Sequence, residues 1–280
     1  MGRAIERIEQ DIAALQEAIQ AIASELHSAY ASYLGVLGQA LGKQLILASY
    51  HLCTQGYPEN FLKLSLNQRQ QLQQGIRKLG KQAAERLLVQ LMSQEIEEVE
   101  ADGEVEGDEE VRSEEELTSG AEVSQVYVLD TSNPVVLAKW QQYIEEETQR
   151  TLRKVSHETN VLLQKAQVLP QKLPEPILEA AAAASEASAE MMPGPPNLLN
   201  LVIEIENEQD EEESSLTQIT TVNLRLGEIE FADPNLSSSR KQIRHVLGKL
   251  NQLGREYQKK QRERSIAEAE AAWRSSWYED

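Results

Sequence analysis

Apolar residues recur through the first third of the chain at alternating intervals of three and four. Ile5, Ile8, Ile12, Leu15, Ile19, Ile22, Leu26, Ala29, Tyr33 and Val36 form the series. Such spacing places every member on one stripe of an α-helix and repeats as the a and d positions of a heptad. With no proline before Pro58, it predicts a helix from about Arg3 to Cys53, on the order of 75 Å long. Gln55-Gly56-Tyr57-Pro58 supplies the stop, with Gly56 as the expected C-cap. Ser65 and Gln68 fit a capping box that opens a second helix, with Leu72, Ile76, Leu79, Ala83 and Leu87 as its stripe, running to about Glu98. The short connection predicts an antiparallel hairpin.

Further along, Ser132-Asn133-Pro134 reads as a helix start. Leu137, Trp140, Ile144, Leu152, Val155, Leu162, Ala166 and Leu169 continue it. The Ala-rich stretch Ile177 to Met191 predicts another helix. Asn197 is expected to cap a short helix through Leu198, Leu201, Val202 and Ile205. Leu216 to Phe231 carries two patterns. Thr217, Ile219, Thr220, Thr221 and Val222 are β-branched and suit a strand, whereas Ile219, Val222, Leu226 and Ile229 have helical spacing, and helix is the expectation. Asp233-Pro234 reads as a break. Ser237 to Ser239 are the expected caps of a last helix carrying Val246, Leu250, Leu253 and Tyr257 and continuing through Ile266–Ala272.

Composition agrees with long thin helices. Only 5% of residues are aromatic, two of them Phe, and 26% are charged. Ala, Leu, Gln and Glu, all good helix formers, supply much of the rest. The net charge of −19 is unevenly spread: Glu95 to Glu122 holds 14 acidic residues against Arg112 alone, and Glu204 to Glu213 holds seven with no basic residue. Such dense like charge cannot bury enough apolar surface to offset ordering entropy, so these tracts read as disordered acidic linkers. Val123 to Leu129 is rich in β-formers and reads as briefly extended. The expected fold class is therefore all-α, a long helical hairpin and coiled-coil-like helices joined by acidic linkers. The expected division is an N-terminal hairpin (1–98), a linker (99–131), a helical segment (132–206), a second linker (207–215) and a C-terminal helical segment (216–280) with a basic helix and an aromatic tail.

Signals for chemistry are poor. Cys53 is the only cysteine, so neither an internal disulfide nor a multi-cysteine zinc site is open to the chain. His27, His51, His157 and His245 lack the close spacing of metal ligands. Gly38 to Gln44 lacks the spacing and hydroxyl residue of a phosphate loop and lies inside a helical pattern, where no cradle of free amides exists. No cofactor, metal or catalytic residue is expected. The N-terminus has no apolar signal core, and Glu6 stands where a myristoylation motif wants Ser or Thr. The expected location is the cytoplasm, with a membrane periphery kept open.

Three surfaces stand out instead. Ala31, Gly35, Gly38 and Gly42 form a small-residue stripe in a run where Lys43 is the only charged residue from Leu26 to Pro58. The stripe permits close helix packing, in water or in lipid, although the uncharged run Ser28–Gly42 is short for a bilayer span. Between Ser239 and Arg264 stand nine basic residues against Glu256 and Glu263. Arg240, Lys241, Arg244, Lys249, Arg255, Lys259 and Lys260, followed by Arg262 and Arg264, read either as contacts to an anionic membrane or nucleic acid, or as partners of the chain's own acidic tracts. At the C-terminus, Trp273, Trp277 and Tyr278 gather aromatic anchors suited to a recognition surface or to docking on the chain's own helices.

The stretch LGREYQKKQRER from Leu253 to Arg264, continued by AEAEAAWRSSWY to Tyr278, resembles the C-terminus of an uncharacterised cyanobacterial helical family, and SLNQRQQL from Ser65 to Leu72 is similar to it too. The resemblance covers about a quarter of the chain. It implies a phototroph's cytoplasm or thylakoid surface and brings no activity or functional residues. Taken together, the features predict a non-catalytic helical scaffold or adaptor acting through protein–protein contact or self-association. The alternative is a peripheral protein on an anionic membrane or nucleic acid, using helix 239–264. The overall negative charge disfavours nucleic acid.

Overall fold

A computed structural model describes residues 2–91, 131–170, 180, 194–206 and 214–277, and of residues 2–4, 203–206 and 214–217 it describes the backbone alone. Among these residues there are six α-helices and one two-stranded sheet, so the fold class is all-α. Helix α1 (Gly2–His51) passes through a π turn (Leu52–Gly56) into the short α2 (Pro58–Lys63). Helix α3 (Leu66–Val89) follows, then α4 (Pro134–Lys165). Strands β1 (Leu198–Glu206) and β2 (Ser214–Val222) lead to α5 (Leu226–Ala232) and α6 (Pro234–Ser275). The acidic tract 95–122, the Val123–Leu129 segment and nearly all of the Ala-rich stretch 177–191 lie outside the described residues.

Local signals place the helix starts. The Ser65 hydroxyl accepts from the Gln68 amide at 3.4 Å, and the Gln68 side chain takes the Ser65 amide at 2.8 Å. The Asn133 side chain accepts from the Val135 amide, with Pro134 at the first helical position. Helix α6 begins earlier than expected. Asp233 caps it through the Asn235 amide, and Pro234 opens the helix instead of breaking it, because proline lacks only an amide that the first turn leaves free anyway. Gly56 is not a left-handed C-cap; the chain leaves α1 through the π turn and restarts at Pro58.

Four long helices share one core. Helices α1 and α3 run antiparallel, as Gly38 beside Ala84 and Gly42 beside Gly80 require. Helix α4 runs antiparallel to α3, with Gly75 against Leu162 and Gln90 against Thr151. Helix α6 returns along α1, pairing Arg240 with Tyr33, Lys249 with Glu25 and Lys260 with Asp11. The heptad seam of α1 serves only its first part. Ile12 and Ile19 are buried there in a narrow stripe. From Leu26 onward burial widens to Tyr30, Leu34, Leu37, Leu41, Leu45 and Leu52, because α3 and α6 flank the helix on two sides. The near absence of charge after Leu26 follows from this central position. Helix α4 begins where Pro134 meets Gly254. Beyond that level, among the described residues, α1 and α6 run on together as a two-helix projection.

Two segments expected as helix are strands. Leu198–Glu206 pairs antiparallel with Ser214–Val222, in the register Leu198↔Val222 through Glu206↔Ser214. The β-branched run of β2 prevails over its helical spacing because a partner strand satisfies its backbone. Side chains clamp the base of this hairpin to the bundle. The Asn160 amide group donates to the Val222 carbonyl and accepts from the Val222 amide, both at 2.9 Å. The Tyr57 hydroxyl accepts from the Thr220 amide, and the Ser156 hydroxyl from the Leu224 amide. Asn197 caps no helix. It sits buried at φ 60°, a conformation that asparagine tolerates, accepts the Arg225 amide on its side chain and donates to Gln44.

The crossing of α1 and α3 gives a paired prediction. A Cβ on Gly38 would stand 2.7 Å from the Ala84 Cβ, whereas one on Gly35 would meet nothing within 4 Å. Gly38→Val should destabilise by about 2 kcal/mol through overpacking. Gly35→Ala should stabilise by up to about 1 kcal/mol through helix propensity. Urea unfolding of both variants checks the contrast in sign.

Candidate functional site

Tyr30 and Tyr33 project from α1 into the space between α4 and α6, both fully buried. Each hydroxyl donates to a carboxylate at 2.6 Å, Tyr30 to Glu145 of α4 and Tyr33 to Glu230 of α5. Between the carboxylates lies Arg240 of α6, its side chain 12% exposed. It donates through Nε to Glu230 at 2.7 Å, through Nη2 to Glu145 at 3.0 Å and to the Tyr33 hydroxyl at 2.8 Å, and through Nη1 to Glu145. The guanidinium also stands over the Tyr33 ring, 4.4 Å from its centre. Trp140 meets Tyr30 edge-on, and His27 stacks on Trp140. Every nitrogen of the guanidinium has a partner, so the cluster resolves into a closed tie among four elements.

The cluster's protonation follows from that geometry. Burial raises both tyrosine hydroxyls far above their ordinary value of 10.0, and the neighbouring carboxylates add to it. For Arg240 burial alone would lower the value, but hydrogen bonds to Glu145 and Glu230 and the electrostatic influence of Tyr33 and Glu145 override it and lock the cation on. Arg240 was expected among the anion-contacting residues. Its guanidinium is instead consumed inside the fold, where no external phosphate reaches it.

The other basic residues separate into two sets. Lys249 pairs with Glu25 at 3.2 Å, and Lys260 with Asp11 and Glu263, both at 3.0 Å, all at the α1–α6 seam. Arg264 pairs with Glu268. Lys241, Arg244, Arg255, Lys259 and Arg262 are exposed and make no ion pair among the described residues. Trp273 and Trp277 are 66% and 68% exposed, with ring centres 5.9 Å apart. Tyr278 lies outside the described residues. Gly38 faces Ala84 of α3 within the chain; the Gly42 backbone lies beside Gly80, but a side chain on Gly42 or Gly35 would meet nothing within 4 Å.

A third feature lies at the opposite end of α1. Ile46, Tyr50, Cys53, Phe61, Leu72 and Ile76 line a groove of about 310 Å³ where α1, α2 and α3 meet. Ile46 and Tyr50 remain 46% and 57% exposed on its rim, with Leu47 beside them on α1. Burial pushes the Cys53 thiol up to about 11, so it stays protonated and unreactive at neutral pH. The sequence signal for this groove was present in the uncharged run after Leu26, which carries more large apolar residues than one buried face needs.

Among the described residues, no group of three or more histidine, cysteine or acidic side chains is placed to hold a metal ion, and no helix is long and apolar enough to cross a membrane. No protein-family model, curated protein or solved structure matches the chain.

Two outcomes test the cluster. Arg240→Met removes the cation and leaves two largely buried carboxylates facing each other, which should cost about 3 kcal/mol, as seen when one partner of a buried pair is lost. Denaturant unfolding at neutral pH measures this. The tyrosines supply a pH signature. Their folded values lie above the unfolded one, so the unfolded chain binds fewer protons above pH 10.0 and stability falls as pH rises past that point. The loss should approach about 1.4 kcal/mol per pH unit for each tyrosine. In an ultraviolet titration both should ionise only as the protein unfolds.

Proposed function

We propose that the chain is a non-catalytic helical scaffold whose N-terminal hairpin receives a protein partner in the groove between α1, α2 and α3. The supporting observation is the joining of an open apolar groove to exposed Ile46, Leu47 and Tyr50 on one stretch of α1. Contiguous large apolar side chains left in water on a rigid helix are what a partner helix or loop covers, and aromatic residues at the rim of such a groove are favoured anchors. The surrounding frame suits the role. The groove is built on two long helices fixed by the tight Gly38–Ala84 crossing, so its shape is set before a partner arrives.

The chemistry near the groove favours binding over catalysis. Cys53, Ser49 and Thr54 line the cavity, and burial keeps the Cys53 thiol protonated. Ser49 and Thr54 spend their hydroxyls on backbone carbonyls one turn back, at 2.8 and 2.7 Å.

The test uses the full chain beside an Ile46→Asp/Tyr50→Asp double variant. Both substitutions fall on exposed positions, so circular dichroism should be unchanged. Light scattering across protein concentration measures self-association, and affinity capture measures a second protein. A mass increase or a defined captured protein that the double variant loses, with affinity reduced about tenfold or more, is the expected outcome. Equal behaviour of the two chains in both measurements would rule out the groove as the interface.

A further inference from the structure

The outward face of α6 carries a second surface, independent of the groove. Advancing 100° per residue, Lys241, Arg244, Arg255, Lys259 and Arg262 fall within a sector of about 60° on the helix. Ile243, Val246 and Leu250, which anchor α6 in the core, lie on the opposite side. Ile266 and Trp273 continue the same sector, and Trp277 stands beside Trp273. All of these outward residues are exposed. The five cations span about 32 Å of one continuous helix, and none has an ion-pair partner among the described residues. Among the acidic residues of α6, Glu256 and Glu263 flank the stripe beside Arg255 and Arg262; Glu263 is engaged by Lys260 at 3.0 Å, and farther on Glu270 by Arg274 at 3.7 Å.

We propose that this face of α6 docks on the surface of an anionic lipid bilayer. The cations lie along the membrane plane against lipid headgroups, while Ile266, Trp273 and Trp277 enter the interfacial zone at the distal end. Charge complementarity carries the assignment. Arg240, Lys249 and Lys260 are matched to carboxylates of this chain, and among the described residues the outward set is matched to none. A row of cations on one line can meet a plane all at once, and each cation near an anionic membrane adds to the attraction. The apolar end separates lipid from nucleic acid. Tryptophan is at home at a membrane–water interface. The two indoles are inclined at 59° to each other, so they form no parallel platform for successive stacked bases. Among the described residues, the projection of α1 and α6 beyond α4 holds this end clear of the bundle.

Co-sedimentation of the full chain with vesicles of phosphatidylcholine, with and without phosphatidylserine, tests the proposal at low and physiological salt. Binding is expected only to vesicles containing phosphatidylserine, weakening as salt rises. Arg255→Gln/Lys259→Gln/Arg262→Gln removes exposed, unpaired charges and should preserve the fold while lowering affinity about a hundredfold. Trp273→Ala/Trp277→Ala should weaken binding while leaving its salt dependence in place. Trp140 is buried, so a blue shift of tryptophan emission on vesicle addition reports the two outer indoles. Absence of binding to phosphatidylserine vesicles at low salt overturns the proposal. So does triple-variant binding equal to wild type, or tighter binding to a DNA or RNA oligonucleotide than to the vesicles.

Discussion

The arrangement depends on Arg240 lying between Glu145 and Glu230 beneath two tyrosines. A buried cation with two carboxylates is costly to desolvate, and such a group is tolerated only when its hydrogen bonds are met with good geometry. Here the ligands come from α1, α4 and α5, so the condition is met only when α6 lies at one height and one rotation against all three. An apolar seam is less selective. The α1 stripe of Ile and Leu would accept α6 slipped by a heptad at modest cost, whereas a slip would withdraw Arg240 from Tyr33 and Glu145. The seam pairs Lys249–Glu25 and Lys260–Asp11 follow in the same register, but they are partly exposed and contribute little by themselves.

That rotation also sets what α6 turns outward. With Arg240 committed inward, the face opposite Ile243, Val246 and Leu250 is left uncovered by the other described elements. The helix therefore divides its cations into those that serve the fold and those that do not. The division is invisible in the net charge, because both sets occupy the same short stretch of sequence.

How much was legible in the sequence tracks how local each signal is. The helix starts at Ser65 and Asn133 were readable because capping involves residues two or three apart, and the paired helices because their periodicity is continuous. The strands were misread for the opposite reason. Ile219, Val222, Leu226 and Ile229 satisfy a helical spacing by coincidence, and the partner that makes β2 a strand lies across an acidic stretch. Asn197 looked like a cap because asparagine commonly is one, yet its left-handed backbone and its bonds to Arg225 and Gln44 serve a junction of distant elements. The central cluster was out of reach altogether. Tyr30 and Glu145 are separated by 115 positions, and Tyr33 and Glu230 by 197. No pattern on one helix distinguishes Arg240 from Lys241 or Arg244, although the first is largely covered and the other two are exposed.

The same distinction bears on why the outward residues are there. Exposed, unpaired cations and surface tryptophans add little to folding stability; changing them typically moves it by less than about 0.5 kcal/mol. The bundle would stand as firmly with glutamine at Arg255, Lys259 and Arg262. In a chain of net charge −19, a row of five cations on one helix face ending in two indoles is therefore not accounted for by packing, capping or ion pairing within the described fold. The groove beside Tyr50 has the same character at the other end of α1, being apolar where no other described residue covers it. The interior is satisfied at Arg240 and at the Gly38 crossing, and the two surfaces are not. These unsatisfied faces lie on different helices and at opposite ends of α1, so a lipid surface and a protein partner would occupy them together without competing for space.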